Sequence, residues 1–261
     1  MSIIIETIID DTRSDQHKPS LMLLHGWGLN GAVWDSVRQP LAQHYNLQVV
    51  DLPGHGYSRD LPLTTLEAAA DAIAETIIHP THLLGWSLGG QIALTLARRH
   101  PARVNKLVLV GTTPRFVARD DWPYGKMAEV LDDFAERLTT HYAETIRGFL
   151  ALQTLNQPGA RATIAALQTA MSARGEPSAL ALQAGLNILR TGDVRKQLAH
   201  ISHASLVIQG DHDALTAEPA ARWLAEHLPG ATYALIQHAA HAPFLSHREL
   251  FLDHVMKHLA R

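Results

Sequence analysis

Along this chain the apolar positions collect in short continuous runs, and stretches of helix-forming residues separate them. They are the continuous run Leu21-Met22-Leu23-Leu24 and the mostly apolar segments Leu47 to Asp51, Thr81 to Leu84, Val104 to Val110, Ala204 to Gln209 and Ala231 to Ile236. Little polar alternation interrupts them, which is what strands buried on both faces of a parallel sheet require. Thr64 with Glu67 forms a capping box, so a helix of alanines and isoleucines is predicted from there to Ile78. Further helices are predicted from Gln91 to His100, from Pro219 to Leu228, and from a Ser246–Glu249 capping box to Leu259. Ser2 to Ile9 predicts an opening strand, paired in a hairpin or lying at a sheet edge. Strands alternating with helices predict an α/β fold with a mainly parallel sheet.

From Thr112 to about Thr191 this rhythm stops. No β-branched run of strand length appears, and the helical pieces break at Pro114, Trp122-Pro123, Pro158-Gly159 and Glu176-Pro177. A block inserted between two sheet strands has to fold over the sheet's carboxyl edge. The expected organisation is therefore a core of residues 1–111 and 192–261 with a helical cap, 112–191.

Composition narrows the classes. The 261 residues are 46% hydrophobic and 18% charged, enough for one well-buried core with an insertion. A formal charge of −3 lends no support to a nucleic-acid or membrane partner. No run approaches the roughly 18 apolar residues of a membrane span, and the acidic segment Met1–Asp11 lacks the basic start of a signal peptide. The absence of cysteine excludes disulfides, thiolate-zinc sites and thiol catalysis. A soluble, cytoplasmic protein is expected.

Chemistry concentrates where the run at Thr81 ends. Gly85-Trp86-Ser87-Leu88-Gly89 stands between a predicted strand and a predicted helix, the pattern of a nucleophile elbow. A serine forced onto so tight a turn needs small neighbours on both sides. Its Oγ then projects from the strand end, and the helix behind it aims N–H groups at developing negative charge. Ser87 is the candidate nucleophile, set against the plain alternative of a glycine-rich turn with an incidental serine.

A serine needs a base, and the base needs an orienting acid; behind an elbow they follow in the order serine, acid, histidine. Two loops qualify: Gly210-Asp211-His212-Asp213, and His238-Ala239-Ala240-His241-Ala242-Pro243-Phe244. His241 is preferred over His238 because small residues and Pro243 give it a rigid turn. Asp211 and Asp213 compete, and Asp213 is preferred because it lies further along, where the chain bends back. His212 and His238 are then solvated loop residues. Asp211, His212, Asp213, His238 and His241 would also suit zinc or iron, but no H-E-x-x-H is present and a catalytic metal leaves the elbow unexplained; no metal and no cofactor are expected. The oxyanion hole needs the N–H of Leu88 and a second donor from the early loop His25-Gly26-Trp27-Gly28, where Trp27 is best placed. His25 itself is read as a structural loop hydrogen-bonder.

With these residues in hand, the sequence resembles the α/β-hydrolase superfamily over its whole length, which implies the α/β-hydrolase fold. More narrowly it resembles biotin-pathway carboxylesterases that demethylate pimeloyl-[acyl-carrier protein] methyl ester. The matching stretches are LLHGWGLN (23–30), VDLPGHGYS (50–58), LGWSLGG (84–90), ARDDWP (118–123), FLALQT (149–154) and AAHAPFLSH (239–247). The resemblance implies Ser87, Asp213 and His241 as the triad, Trp27 and Leu88 as oxyanion donors and substrate contacts, and Phe149 as a wall of the acyl channel. It also implies a partner, an acyl-carrier protein held by cap arginines, with small-molecule esters as further substrates. Arg161 occupies a matching position. Glu144, Gly148 and Ala165 stand where further arginines are expected, and Arg147 can substitute for the one missing at Gly148. Between Ile146 and Arg190 the sequence carries Arg147, Arg161, Arg174 and Arg190 against Glu176 alone, a balance that attracts an acidic partner. The channel is expected to include Trp27, Trp86 and Phe149. The rivals are a broad short-chain esterase, a lactone or carbon–carbon bond hydrolase with the same triad, and a non-catalytic ligand receptor on this scaffold. A haloalkane dehalogenase is disfavoured, since an aspartate nucleophile is expected where Ser87 stands.

Overall fold

The computed structural model describes residues 3–8 and 18–260. In chain order the elements are β1 (Ile5–Ile8), β2 (Ser20–Leu24), α1 (Asp35–Ala42), β3 (Asn46–Val50), α2 (Leu66–Ala74), β4 (Thr81–Trp86), α3 (Leu88–Arg99) and β5 (Val104–Val110). Four helices follow, α4 (Ala128–Thr140), α5 (Tyr142–Leu152), α6 (Ala160–Ala173) and α7 (Ala179–Thr191). Then come β6 (Ala204–Gly210), α8 (Glu218–His227), β7 (Thr232–Ile236), the single turn α9 (Pro243–Ser246) and α10 (Arg248–Leu259).

The strands form one sheet in the order β1-β3-β2-β4-β5-β6-β7, parallel throughout except where β1 runs antiparallel to β3 at one edge. The opening strand thus takes the edge position and makes no hairpin; Ser2 and Ile9, the outer residues of its expected range, lie outside the described residues. Leu21–Leu24 and Val108–Val110 are fully buried, because α1 and α10 pack on one face of the sheet while α2, α3 and α8 cover the other. No described helix is long and apolar enough to cross a membrane.

Two helix starts differ from expectation. Thr65, not Thr64, caps α2, its Oγ1 accepting the N–H of Ala68 at 3.0 Å, and the helix ends at Ala74. Starting at Leu66 puts Leu66, Ala69, Ala70 and Ile73 on the buried face. Ser246 does not cap the last helix. Pro243 already starts a helical turn, so Ser246 is its last residue, and His247 precedes α10 without a side-chain cap.

Helices α4 to α7 stand between β5 and β6 in the chain and are tied to the core by specific polar contacts. The Trp27 indole N–H donates to the Leu182 carbonyl at 2.9 Å, Asn30 Nδ2 donates to Met171 O at 3.2 Å, and Ser178 N–H donates to Gly54 O at 2.8 Å. Arg174, at the end of α6, is buried against Asp51 (3.2 Å) and Glu6. Removing one partner of such a pair leaves the other charge stranded, typically at about 3–5 kcal/mol.

Candidate active site

The elbow forms because two close approaches admit only hydrogen. A Cβ on Gly89 would collide with the carbonyl oxygens of Leu24 and His25, and one on Gly85 would meet Gly89 O at 2.5 Å. Between them Ser87 sits at φ 55°, ψ −118°, a conformation that costs a non-glycine residue of order 1–3 kcal/mol. Its N–H donates to Val110 O at 2.9 Å, and its carbonyl accepts the N–H groups of Gly90 and Gln91. Ser87 is only half-buried, whereas its neighbours Trp86 and Leu88 are enclosed.

His241 arrives on the loop after β7. Its Nδ1–H donates to Asp213 Oδ2 at 2.7 Å. Its ring packs on Gly111, where an added Cβ would lie 3.0 Å from Nδ1, one residue beyond the Val110 carbonyl that holds Ser87. The histidine and serine thus share the carboxyl end of β4 and β5. Since Nδ1 is committed to Asp213, Nε2 is the nitrogen left for a reacting hydroxyl. Ser87 Oγ makes no hydrogen bond to another described residue, and in resting sites this contact is often long, tightening when substrate binds.

Asp213, rather than Asp211, meets His241. Its Oδ1 accepts the N–H groups of Leu215 (2.8 Å) and Thr216 (2.9 Å), and its Oδ2 accepts Thr216 Oγ1 (2.6 Å) and Gln209 Nε2 (3.0 Å) besides the imidazole. Burial alone would raise this carboxyl's pKa. The charge and hydrogen bond of His241, with the Thr216 bonds, outweigh burial and hold it below the ordinary carboxylate value. Neither Gln209 nor Thr216 was picked out in the sequence, although an aspartate followed three residues later by threonine is a turn signal of this kind.

The N–H groups of Trp27 and Leu88 donate to no other described residue, and both residues are buried. They are the two donors expected for the oxyanion hole. Two neutral imidazoles shape the loop carrying Trp27. His25 Nε2 accepts Leu52 N–H at 2.9 Å while its Nδ1 pairs with Gly26 O at 2.8 Å; His55 Nε2 accepts Gly28 N–H at 3.3 Å while its Nδ1 pairs with Pro53 O at 2.9 Å. Each ring is therefore a donor at Nδ1 and an acceptor at Nε2, and His25 has the structural role read for it. Burial, then the neighbouring His55, pulls the His25 pKa down to about 3; burial lowers His55 too, and burial with the Lys106 charge takes His82 to about 4.

These depressed values fix a sign. Unfolded histidines take up protons near pH 6.5, whereas the His25 and His82 rings resist until much lower pH, so their stabilisation is whole above about 6.5 and fades on acidification toward 3–4. Each loses up to ~1.4 kcal/mol per pH unit in that window. Unfolding free energy from urea titrations is expected to drop by about 2–4 kcal/mol between pH 7.5 and pH 5.5, and His82→Gln to flatten the slope. A flat profile would sink this account.

Among α4, α5, α7 and the elbow lies a cavity of about 340 Å³, within the range of small-molecule sites. Ser87, Trp27, Phe134 and Phe149 line it with leucines of α7, and among the described residues Lys126 is the one charged side chain on its lining. Trp27 meets Phe149 and Phe134 edge-on at ring separations of 5.1 and 5.5 Å. Trp86, expected in this channel, is not there. It packs on Trp34, Phe244 and the His241 ring, and its indole N–H donates to the His241 carbonyl at 2.8 Å. It seats the histidine's backbone. Gln153 does likewise, its carbonyl accepting the His241 N–H at 3.1 Å, and Gln157 Oε1 accepts Ala240 N–H at 3.2 Å. Local sequence carries no sign of Lys126 or Gln157 at the site, whereas Gln153 lies within FLALQT (149–154) and Phe134 belongs to the apolar spacing Leu131, Phe134, Leu138.

The charges on α5 to α7 also differ from expectation. Arg147 and Arg161 are exposed and make no ion pair with a described residue. Arg174 is buried and neutralised by Asp51 and Glu6, and Arg190 pairs with Asp132 at 3.0 Å. Of these four arginines, two are therefore already paired, Arg174 in the interior and Arg190 at the surface.

An elbow serine, a histidine–aspartate pair at the carboxyl edge of a parallel sheet, and two free N–H groups describe one kind of protein: the chain belongs to the alpha/beta hydrolase fold family, whose sequence pattern matches residues 19–248. Similar proteins narrow this further. One named pimeloyl-[acyl-carrier protein] methyl ester esterase, from Nitrosomonas europaea, is 43% identical over 235 residues, 90% of this chain and 93% of that protein. Another of the same name, from Chromobacterium violaceum, is 40% identical over 241 residues, 92% of this chain and 94% of that protein. Among solved structures, the esterase EaEST from Exiguobacterium antarcticum matches with a TM-score of 0.88 at 24% identity, covering 99% of this chain and 96% of that one, which shows a common fold.

Proposed function

We propose that this chain is a carboxylic-ester hydrolase acting on the methyl ester of pimeloyl-[acyl-carrier protein], with Ser87, His241 and Asp213 as its triad. The observation that carries this reading is the cavity: almost wholly apolar walls suit an acyl chain, and the candidate nucleophile lies on its lining. The names of the two relatives supply the substrate. In the proposed cycle His241 Nε2 takes the Ser87 proton as Oγ attacks the ester carbonyl, and the N–H groups of Trp27 and Leu88 receive the oxyanion. The tetrahedral intermediate expels methanol, which carries away the proton from His241. Water, deprotonated by the same nitrogen, then hydrolyses the acyl-enzyme. Asp213 holds the imidazole with its proton on Nδ1 and stabilises the imidazolium. The cap is the proposed carrier-facing unit, and the reaction is assigned to the cytoplasm.

Arg147 on α5 and Arg161 on α6 are the unpaired cations that an acidic carrier protein would meet. Because rim charges act mainly on encounter, reversing them should affect only the carrier-bound substrate. Arg147→Glu/Arg161→Glu is expected to lower kcat/KM on a carrier-bound methyl ester about tenfold, equivalent to ~1.4 kcal/mol, while changing hydrolysis of a free p-nitrophenyl ester less than twofold. Equal losses on both would remove the carrier from the proposal and leave a small-ester hydrolase. Failure of the wild-type gene to restore growth of a biotin-requiring strain lacking its own esterase would remove the pathway.

A further inference from the structure

A second cluster of chemically competent side chains lies beside the triad but takes no part in it. Asp213 and His241 are bonded to each other, which leaves Asp211, His212 and His238 from the same two loops. One ligand atom from each of these three lies within 4.8 Å of the other two. We propose that they form a site for a divalent first-row cation, zinc foremost, tying the loop after β6 to the loop after β7.

Three further features of the cluster favour a cation. His212 Nδ1 is 2.8 Å from the Asn156 carbonyl, so that nitrogen bears the proton and Nε2 keeps its lone pair for a ligand. Metal-binding histidines are oriented by just such an outer hydrogen bond, here supplied by the segment between α5 and α6. Asp211 Oδ1 is shut off from solvent and has no hydrogen-bond partner, an arrangement that costs free energy unless something positive satisfies it. Lastly, the His238 ring lies edge-on to His212 with centroids 5.6 Å apart, and no hydrogen bond commits its nitrogens.

Two imidazoles and a carboxylate are a donor set that zinc accepts, with a fourth position left for water. Ligands held at 2.0–2.2 Å in a tetrahedron stand about 3.4 Å apart, closer than the upper limit found here. The difference is made up by rotation of His238, which is exposed and free to turn. The elbow chemistry needs no metal, and this site supplies none to it. Its consequence is mechanical: a bound cation would cross-link the loops bearing the acid and the base and, through Asn156, the cap.

The test uses the full-length protein, stripped with chelator and titrated with zinc chloride by isothermal calorimetry. One equivalent is expected to bind at micromolar or tighter dissociation constant, and the melting temperature to rise by several degrees at saturation. His212→Gln and His238→Asn should each weaken binding at least tenfold, whereas His79→Gln, at an exposed histidine elsewhere, should not. Asparagine is chosen at 238 because that residue has φ 62°, which asparagine tolerates. Metal-free melting of each variant within a few degrees of wild type separates loss of ligand from loss of fold, and His238→Asn, at an exposed position, keeps the test open if His212→Gln unfolds. Cobalt substitution should give visible absorption that His238→Asn abolishes. Zinc binding equally strong in all the variants, or no one-equivalent binding at 100 μM free metal, overturns the site.

Discussion

Ser87→Ala is expected to remove nearly all ester hydrolysis, about 10⁵–10⁶-fold in kcat, while leaving the melting temperature unchanged. Losing the nucleophile of a concerted triad costs about as much as losing the whole triad, and what remains over water comes from the oxyanion donors and binding. The fold should not notice. Ser87 Oγ has no hydrogen-bond partner among the described residues, and the backbone bonds of the elbow run through the N–H and carbonyl of residue 87. Alanine also has a Cβ, so the strain at φ 55° is carried over rather than changed. Burst-phase and steady-state assays with a p-nitrophenyl ester, beside a thermal melt, measure both halves. Turnover within tenfold of wild type would rule out Ser87 as nucleophile and with it the proposed cycle; a large fall in melting temperature would show that the hydroxyl also has a structural role.

What the sequence made legible was whatever depends on neighbours in the chain. The parallel-sheet strands were readable because Leu21–Leu24 and Leu107–Val110 are apolar without alternation, and the elbow because glycines flank Ser87 where the strand stops. Side chains whose role depends on a distant partner were not. Arg174 reads as one more surface cation in a basic stretch, yet its partners Asp51 and Glu6 lie 123 and 168 positions away. Trp86 shares a motif with the serine, but its indole N–H reaches the backbone of a residue 155 positions away, so it supports the histidine and does not line the cavity. Ser246 matched a capping pattern that Pro243 had pre-empted by starting a turn three residues earlier. Gln153 acts through its carbonyl, for which no side-chain pattern exists.

Asp213→Asn should lower kcat by about 10⁴-fold without dismantling the site, and the hydrogen bonds around it show why. Asp213 Oδ1 accepts two backbone N–H groups, from Leu215 and Thr216, which cannot turn round to become acceptors. The amide oxygen of an asparagine must therefore take the Oδ1 place, and its NH₂ must take the Oδ2 place, 2.7 Å from His241 Nδ1. An amide nitrogen cannot accept from Nδ1–H. The imidazole is driven to the other tautomer, with its proton on Nε2, where it blocks uptake of the Ser87 proton instead of receiving it. This is a loss of proton transfer more than of affinity, so kcat should fall with KM little changed, which a merely loosened loop would not produce. The companion Asp213→Ala removes the wrong-tautomer constraint but also the anchoring of Leu215 and Thr216, so it should add a drop in melting temperature to its loss of kcat. If Asp213→Asn kept more than a tenth of wild-type kcat, the carboxylate would be an anchor for its loop alone, and the orienting group for His241 would have to be sought elsewhere.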